Sequence, residues 1–267
     1  MKIENLVCSI GGPLREHEID ALLRRSRGRF DHALKHMRRP EAAVGIVKSP
    51  LGDLLVAMTA RGIVCNHYLL DGDDLAATIA DLRLELDLVD DRRSINAVGE
   101  EIRRYLSGAA KTLRQKVDLM LVATPFQRKV LHQLEKVPRG SVVSYGALGA
   151  AIGAPEGARA VGNALHNNPV PIYVPCHRVV ASGGRIGGYG GGLARKLKLL
   201  RSEGFAFRGE AVFLPDAVVR GNKGTRIYCQ PDCRAGARSN GSRSLFFADA
   251  RQARQAGMRP CKICKPA

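Results

Sequence analysis

The sequence predicts a multidomain chain of mixed α/β and α+β organisation: a helical extension, an α+β domain, a helical domain of helix-turn-helix outline and a small cysteine-rich domain at the carboxy terminus. Three observations carry this reading. At 267 residues the chain is long enough for about two domains of roughly 150 residues. Short apolar runs bounded by turn residues give way near Thr124 to apolar positions at helical spacing. Four of the seven cysteines crowd into the final stretch, from Cys229 to Cys264.

Composition excludes several classes at once. Hydrophobic residues at 45% and charged residues at 25% are ordinary globular usage, so the chain is neither disordered throughout nor fibrous. No apolar run approaches the ~18 residues of a membrane span, and Met1 to Asp20 lacks the basic start and apolar core of a secretory signal. The expectation is a soluble, cytoplasmic protein with no membrane partner. Lys and Arg number 42 against 25 Asp and Glu, a formal charge of +17, and a polyanion such as nucleic acid is the expected partner.

Residues 1–40 place Ile19, Leu22, Leu23, Phe30, Leu34 and Met37 at helical spacing among many arginines, a basic helical extension broken near Gly28. It reads as a solvated helix face packed on the next domain rather than as a nucleic-acid arm. Residues 41–121 form the α+β domain. Ala43 to Val47, Leu54 to Met58 and Ile63 to Leu70 read as strands, and Asp73 to Leu86 and Ile95 to Leu106 as helices, the second with Ser94 as its N-cap.

Residues 122–207 form the next unit. Thr124 and Pro125 are the N-cap and first position of a helix whose apolar face is Phe126, Val130, Leu131 and Leu134. A short strand at Val142-Val143-Ser144 leads into a helix from Tyr145 to Ile152, and Gly153-Ala154-Pro155 turns into another from Glu156 to about His166. On that last helix Ala158, Val161 and Leu165 point inward, while Arg159, Asn163 and His166 share a face turned to a ligand. Residues 208–225 read as a linker and residues 226–267 as the cysteine-rich domain.

Ile172-Tyr173-Val174 reads as a buried strand running into Pro175-Cys176-His177-Arg178-Val179-Val180. A thiolate is a nucleophile and a nearby imidazole can take its proton. Neighbouring side chains on a strand point to opposite faces, so Cys176 and His177 need either a turn or a bridging water. The glycines from Gly183 to Gly192 let backbone approach a planar ligand, and they lack the Gly-Lys-Ser/Thr ending of a phosphate-binding loop.

Cys229-x3-Cys233, twenty-seven residues and Cys261-x2-Cys264 have the spacing of a four-thiolate zinc site, with disulfides as the alternative. Between Arg208 and Ala267 there are 12 Lys and Arg against 4 Asp and Glu, 12 − 4 = +8, so this end should touch phosphates.

The runs Arg159-Ala160-Val161-Gly162, Asn167-Asn168-Pro169-Val170-Pro171-Ile172, Pro175 to Val180, Gly191-Gly192-Leu193-Ala194 and Glu203-Gly204 resemble the active-site domain of the O6-alkylguanine-DNA alkyltransferases, the methylated-DNA:protein-cysteine methyltransferases. The resemblance implies a winged-helix, helix-turn-helix type active-site domain and, for residues 41–121, a ribonuclease-H-like fold. It implies that Cys176 accepts the alkyl group, that His177 acts as base through water, that Glu203 orients the imidazole and that Asn168 holds the preceding turn. Arg159 would fill the gap left in the duplex by a flipped guanine, Tyr145 would crowd the rotating phosphate, and Asn163 would face DNA beside them. Tyr189, Val179, Gly190 and Pro171 would line the substrate pocket; Gly190 stands where some relatives carry a polar side chain.

The activity so implied is irreversible transfer of the alkyl group from O6-alkylguanine, and from O4-alkylthymine, in double-stranded DNA to Cys176, one lesion per molecule. The chain would act as a monomer close to the nucleoid and would need no small-molecule methyl donor. The segments Ile227 to Cys233, Phe246 to Ala250 and Gly257 to Pro266 resemble the zinc domain of the Ada adaptive-response proteins, which implies zinc on Cys229, Cys233, Cys261 and Cys264. It leaves open whether Cys229 is a second acceptor, for methylphosphotriesters, or only a ligand. The resemblance departs from that family in placing the zinc domain last. Two other readings stand beside this one: a lesion-binding protein that flags damage without removing it, against which Cys176 argues, and a Cys-His hydrolase, for which no oxyanion hole is evident.

Overall fold

Leu54 to Ala57 is apolar without alternation because both faces of its strand are covered: Leu54 and Val56 enter one core cluster, Leu55 and Ala57 another. The computed structural model describes residues 39–70, 75–181, 184–207, 214–215, 218–230, 233 and 243–266. The basic helices expected within 1–40 lie outside the described residues, apart from Arg39 and Pro40, as does most of the expected linker. Residues 41–267 form one compact unit.

Three antiparallel strands, β1 (Glu41–Ser49), β2 (Gly52–Thr59) and β3 (Gly62–Tyr68), open the described chain. Helix α1 (Leu75–Glu85) follows, then β4 (Asp87–Val89), which pairs parallel to β1 and gives the sheet order β3-β2-β1-β4. Sequence reading missed β4, a three-residue strand too short to show a period. Helix α2 (Arg92–Leu106) lies against β1, where Ile95 fills the space above Gly45 and Val47 that above Gly99. Its N-cap is Asp91 rather than Ser94. The Asp91 carboxylate accepts from the Ser94 backbone N–H at 3.1 Å and the Ser94 hydroxyl at 2.6 Å, so Ser94 sits inside the first turn.

Helix α3 (Pro125–Glu135) begins as expected, with the Thr124 hydroxyl accepting from the Gln127 N–H at 3.1 Å. Strand β5 (Ser141–Ser144) leads into α4 (Tyr145–Ala151), capped by Ser144, and a turn leads into α5 (Ala158–His166). Val161, Ala164 and Leu165 are the buried positions of α5, and Ala158 is exposed, contrary to its expected inward place. A single 3-10 turn (Cys176–Arg178), the two-residue β6 (Val179–Val180) and α6 (Leu193–Ser202) complete this part. The expected strand at Ile172 to Val174 is instead a tight turn, with a bridge between Pro171 and Val174 and Ile172 at φ 75°.

The carboxy-terminal segment is not a separate bead. Strand β7 (Val219–Asn222) lies inside the stretch read as linker, and β8 (Ile227–Cys229), β9 (Ser244–Phe247), α7 (Ala250–Gln255) and β10 (Arg259–Pro260) follow. These strands join β5 and β6 in one sheet of order β10-β8-β7-β9-β5-β6, the junction being the antiparallel pairs Ser141–Phe247 and Val142–Phe246. Val219, Tyr228, Leu245, Phe247 and Met258 accordingly belong to the same apolar core as Val143, Leu199 and Val179. No helix among the described residues is long and apolar enough to cross a membrane.

Candidate active site

The turn from Asn168 to Cys176 is built by one side chain. Asn168 Oδ1 accepts from the Val170 N–H at 3.0 Å, and Asn168 Nδ2 donates to the Val174 carbonyl at 3.0 Å and to Cys176 Sγ at 3.2 Å. The amino-terminal sheet steadies the same turn from outside: Asn66 Nδ2 donates to the Pro171 carbonyl at 2.7 Å, and the Asn66 N–H to the Pro169 carbonyl at 2.8 Å. The 3-10 turn then sends neighbouring side chains different ways. Cys176 lines a cavity of about 410 Å3, whereas His177 is fully buried and points to Glu203.

Tyr145, Asn163, Cys176, Tyr189 and Gly190 line this cavity, five residues expected at the site, together with His166 of α5. Arg159 is exposed on the same helix and does not line it. Val179 and Pro171 do not line it either. The Val179 side chain is in the apolar core and its carbonyl accepts from Lys196, while Pro171 is buried with its carbonyl held by Asn66.

Glu203 is completely buried and satisfied on every side. Its Oε1 accepts from His177 Nε2 at 2.8 Å, Arg178 Nη2 at 2.8 Å and the Tyr105 hydroxyl at 2.7 Å; its Oε2 accepts from Arg178 Nε at 3.0 Å and the Gly140 N–H at 3.2 Å. Burial alone would push the carboxyl up, but Arg178 and His177 outweigh it and hold Glu203 well below the usual carboxylate range. Burial pushes the His177 imidazole down, against the pull of Glu203, so the ring is neutral at pH 7. With Nε2 donating to a carboxylate, the buried Nδ1, which has no protein hydrogen-bond partner, is the ring's free acceptor.

Burial pushes the Cys176 thiol up, and the Asn168 amide and the Lys196 charge work against that rise. Sequence reasoning missed Lys196. Its ammonium is fully buried and donates to the carbonyls of Val179 at 2.6 Å, Ile186 at 2.6 Å and Gly188 at 3.1 Å, tying the glycine-rich loop beneath the cavity. Burial pushes it down to about 8. A lysine one turn before Leu199 and Leu200, on the apolar side of α6, was the available signal. Tyr68 at the end of β3 was also missed; its hydroxyl lies 2.9 Å from that of Tyr189.

A second cluster lies at the other end of the six-stranded sheet. The sulfurs of Cys229, Cys233, Cys261 and Cys264 all lie within 4.8 Å of one another. Four thiolates at ~2.3 Å from a tetrahedral metal ion would be about 3.8 Å apart, so the cluster fits such an ion after slight contraction. Backbone donors point at the sulfurs, from the Gln230 N–H to Cys264 and from the Ile263 N–H to Cys261, each at 3.4 Å, as thiolates require. All four cysteines are free of disulfides. This donor set makes the carboxy-terminal segment a metal-binding unit of the kind that zinc occupies.

Comparison with known proteins follows the same division. Residues 125–205 match the model of the 6-O-methylguanine DNA methyltransferase, DNA binding domain, and residues 211–267 match that of the metal binding domain of Ada. A methylated-DNA--protein-cysteine methyltransferase of Methanosarcina mazei is 35% identical over 158 residues, 59% of this chain and 94% of the relative. One from Mycolicibacterium paratuberculosis is 42% identical over 111 residues, 42% of this chain and 66% of the relative. One from Salmonella typhimurium is 52% identical over 82 residues, 31% of this chain. The chain thus spans about half to two thirds of the curated relatives it matches first, 66%, 63% and 48% of their lengths. Among solved structures, Mycobacterium tuberculosis OGT in complex with DNA aligns with TM-score 0.52 and 32% identity, over 60% of this chain and 92% of that one.

Proposed function

The chain belongs to the methylated-DNA--protein-cysteine methyltransferase family, and from that premise we propose that it repairs DNA by moving the alkyl group of O6-alkylguanine, and of O4-alkylthymine, irreversibly onto Cys176. The observation that carries the reading is the placement of Cys176 on the cavity wall, 3.2 Å from the Asn168 amide and next in sequence to a buried His177–Glu203 pair.

The thiol proton leaves through a bridging water to His177 Nδ1, whose acceptor state is fixed by the Nε2–H bond to Glu203. The thiolate attacks the alkyl carbon; the S–C bond forms as the C–O6 bond breaks, and the electron pair goes to the base. The base takes up a proton in place of the one the thiol gave to His177, which restores guanine with no net gain or loss of protons once His177 releases its own. In-line attack cannot happen inside a stacked duplex, so the base leaves the helix and enters the cavity against Tyr189 and Gly190. Arg159 and Asn163, exposed on α5, face the DNA, Arg159 taking the place of the flipped base and Tyr145 meeting the phosphate that turns. The thioether is stable, so each molecule acts once.

The sheet order β3-β2-β1-β4, antiparallel but for β4, supports a ribonuclease-H-like reading of residues 41–121, and α4–turn–α5 supports a helix-turn-helix reading within 122–207. Residues 1–40 are read as a basic extension, and residues 226–267 as a zinc domain joined to the alkyltransferase domain, 122–207, through 208–225. Zinc held by Cys229, Cys233, Cys261 and Cys264 would supply folding energy to that domain. Cys229 is only 5% exposed, which favours a ligand role over a second acceptor. The protein is read as a monomer of the cytoplasm acting on double-stranded DNA at the nucleoid, with no small-molecule methyl donor.

Peptide mass mapping after exposure to DNA carrying both O6-methylguanine and methylphosphotriesters tests the reading. Methyl on Cys176, and none after Cys176→Ala with duplex binding retained, is the expected result. Transfer from O6-methylguanine surviving in that variant would overturn the assignment, and methyl on Cys229 from the phosphotriesters would restore it as an acceptor.

A further inference from the structure

Glu203 does more than close a hydrogen-bond network; it is also where the carboxy-terminal segment meets the site. Helix α7 is capped by Asp249, whose Oδ1 accepts from the Gln252 N–H at 2.7 Å and so fixes the start of that residue's side chain. Gln252 Nε2 donates to the Glu203 carbonyl at 2.7 Å. That carbonyl belongs to the C-cap of α6 and has no partner within the helix, so the amide supplies what a helix end lacks.

The Gln252 amide sits between two glycines. Gly140 and Gly204 have φ of 73° and 103°, and a Cβ on either would overlap this amide. Gly140 is held from both sides: its N–H donates to Glu203 Oε2 at 3.2 Å, and its carbonyl accepts from the Ala248 N–H at 3.0 Å. The next residue, Ser141, pairs with Phe247. The carboxy-terminal segment therefore holds the backbone of Glu203 and the peptide that donates to its carboxylate, through contacts at Ala248, Phe247 and Gln252.

We propose that the carboxy-terminal segment is part of the alkyl-transfer site, with Gln252 as a positioning residue that sets Glu203 and, through it, the orientation of His177. The proposal rests on the reading of Cys176 and His177 as the transfer pair. The path is short: Gln252 to the Glu203 backbone, the Glu203 carboxylate to His177 Nε2 at 2.8 Å, and His177 beside the acceptor. Shifts of a few tenths of an ångström at Glu203 would turn the imidazole and misplace Nδ1 relative to the thiol.

The test compares Gln252→Ala and Gln252→Met in the full-length, zinc-loaded chain. Methionine keeps the bulk between Gly140 and Gly204 and removes the donor, which separates packing from hydrogen bonding. Three quantities are read: the pH dependence of single-turnover transfer, the affinity for undamaged duplex, and the nitrogen shifts and titration of the His177 imidazole by NMR. The groups acting on that imidazole are Glu203, Arg178 and Lys196. Both variants are expected to slow transfer by roughly 10-fold or more, the scale at which supporting partners act on a reacting group, and to shift the His177 titration with duplex affinity unchanged. A Gln252→Met protein with wild-type imidazole shifts and pH profile would overturn the proposal. If the unaltered protein transfers no alkyl group, the functional reading fails by itself, while the imidazole shifts still decide whether Gln252 positions the pair.

Discussion

The hydroxyls of Tyr68 and Tyr189 lie 2.9 Å apart, and this one bond ties the end of β3 to the glycine-rich loop that walls the cavity. Their rings meet edge to face at 71° with centroids 6.1 Å apart. Tyr68→Phe keeps that contact and deletes the bond. A loss of about 1 kcal/mol in urea unfolding is expected, together with severalfold slower alkyl transfer and unchanged duplex affinity. Single-turnover rates beside a denaturation curve check both parts.

Removing the negative charge of Glu203 should be costly, because Arg178 would stay buried without its counter-ion. Glu203→Gln is expected to lose about 3–5 kcal/mol of stability at pH 7. The pH dependence has a definite sign. Glu203 is held below its ordinary value in the folded state, so its contribution is full above the unfolded carboxylate pKa of ~4.3 and is lost as pH falls from there. Urea midpoints measured between neutral pH and pH 3 should fall steeply for the natural protein and more gently for the variant.

Lys196→Met tests whether the buried ammonium favours the Cys176 thiolate. The thiol should titrate higher in the variant, followed by ultraviolet thiolate absorbance, and transfer should be slower at pH 7. Since Lys196 is pushed down to about 8, the natural protein should lose the same assistance as pH rises through that value, so the two should converge in alkali. A thiol titration unchanged by the substitution would remove Lys196 from the site's electrostatics.

Stripping metal from the four-cysteine cluster should be felt beyond it. Cys264→Ser, or chelation of the natural protein, is expected to release zinc and to lower the thermal midpoint of the whole unit by several degrees. Amide exchange should quicken in β5 as well as in β7 to β9, because these strands share one ladder. Exchange confined to the cysteine-rich strands would mean that the ladder does not carry the metal's effect.

What could be read from the chain was what is local in it. Cys176-His177, Asn168 before Pro169, Glu203 before Gly204 and the two cysteine pairs each lie within a few residues of their motif. Asn66, Tyr105 and Gln252 escaped because they act across the fold, Asn66 on Pro171 at a separation of 105 residues and Tyr105 on Glu203 at 98. Nothing near them in sequence distinguishes them from other polar residues. Ile172 to Val174 misled for a different reason: three apolar residues satisfy a strand pattern, but the bonds of Asn168 to both ends of the turn decide the backbone there. The linker reading of 208–225 overlooked β7, whose Val219-Arg220-Gly221-Asn222 becomes a strand only through β8 and β9 on either side.

The pairing of β9 with β5 changes what a proteolytic nick would do. In a two-bead fusion, one cut in the tether frees two proteins that migrate apart. Here a cut between α6 and β7 would leave fragments still laced by the Ser141–Phe247 and Val142–Phe246 pairs, a common apolar core and the Gln252–Glu203 bond. The pieces would behave as a non-covalent heterodimer, co-eluting in native buffer and parting only in denaturant.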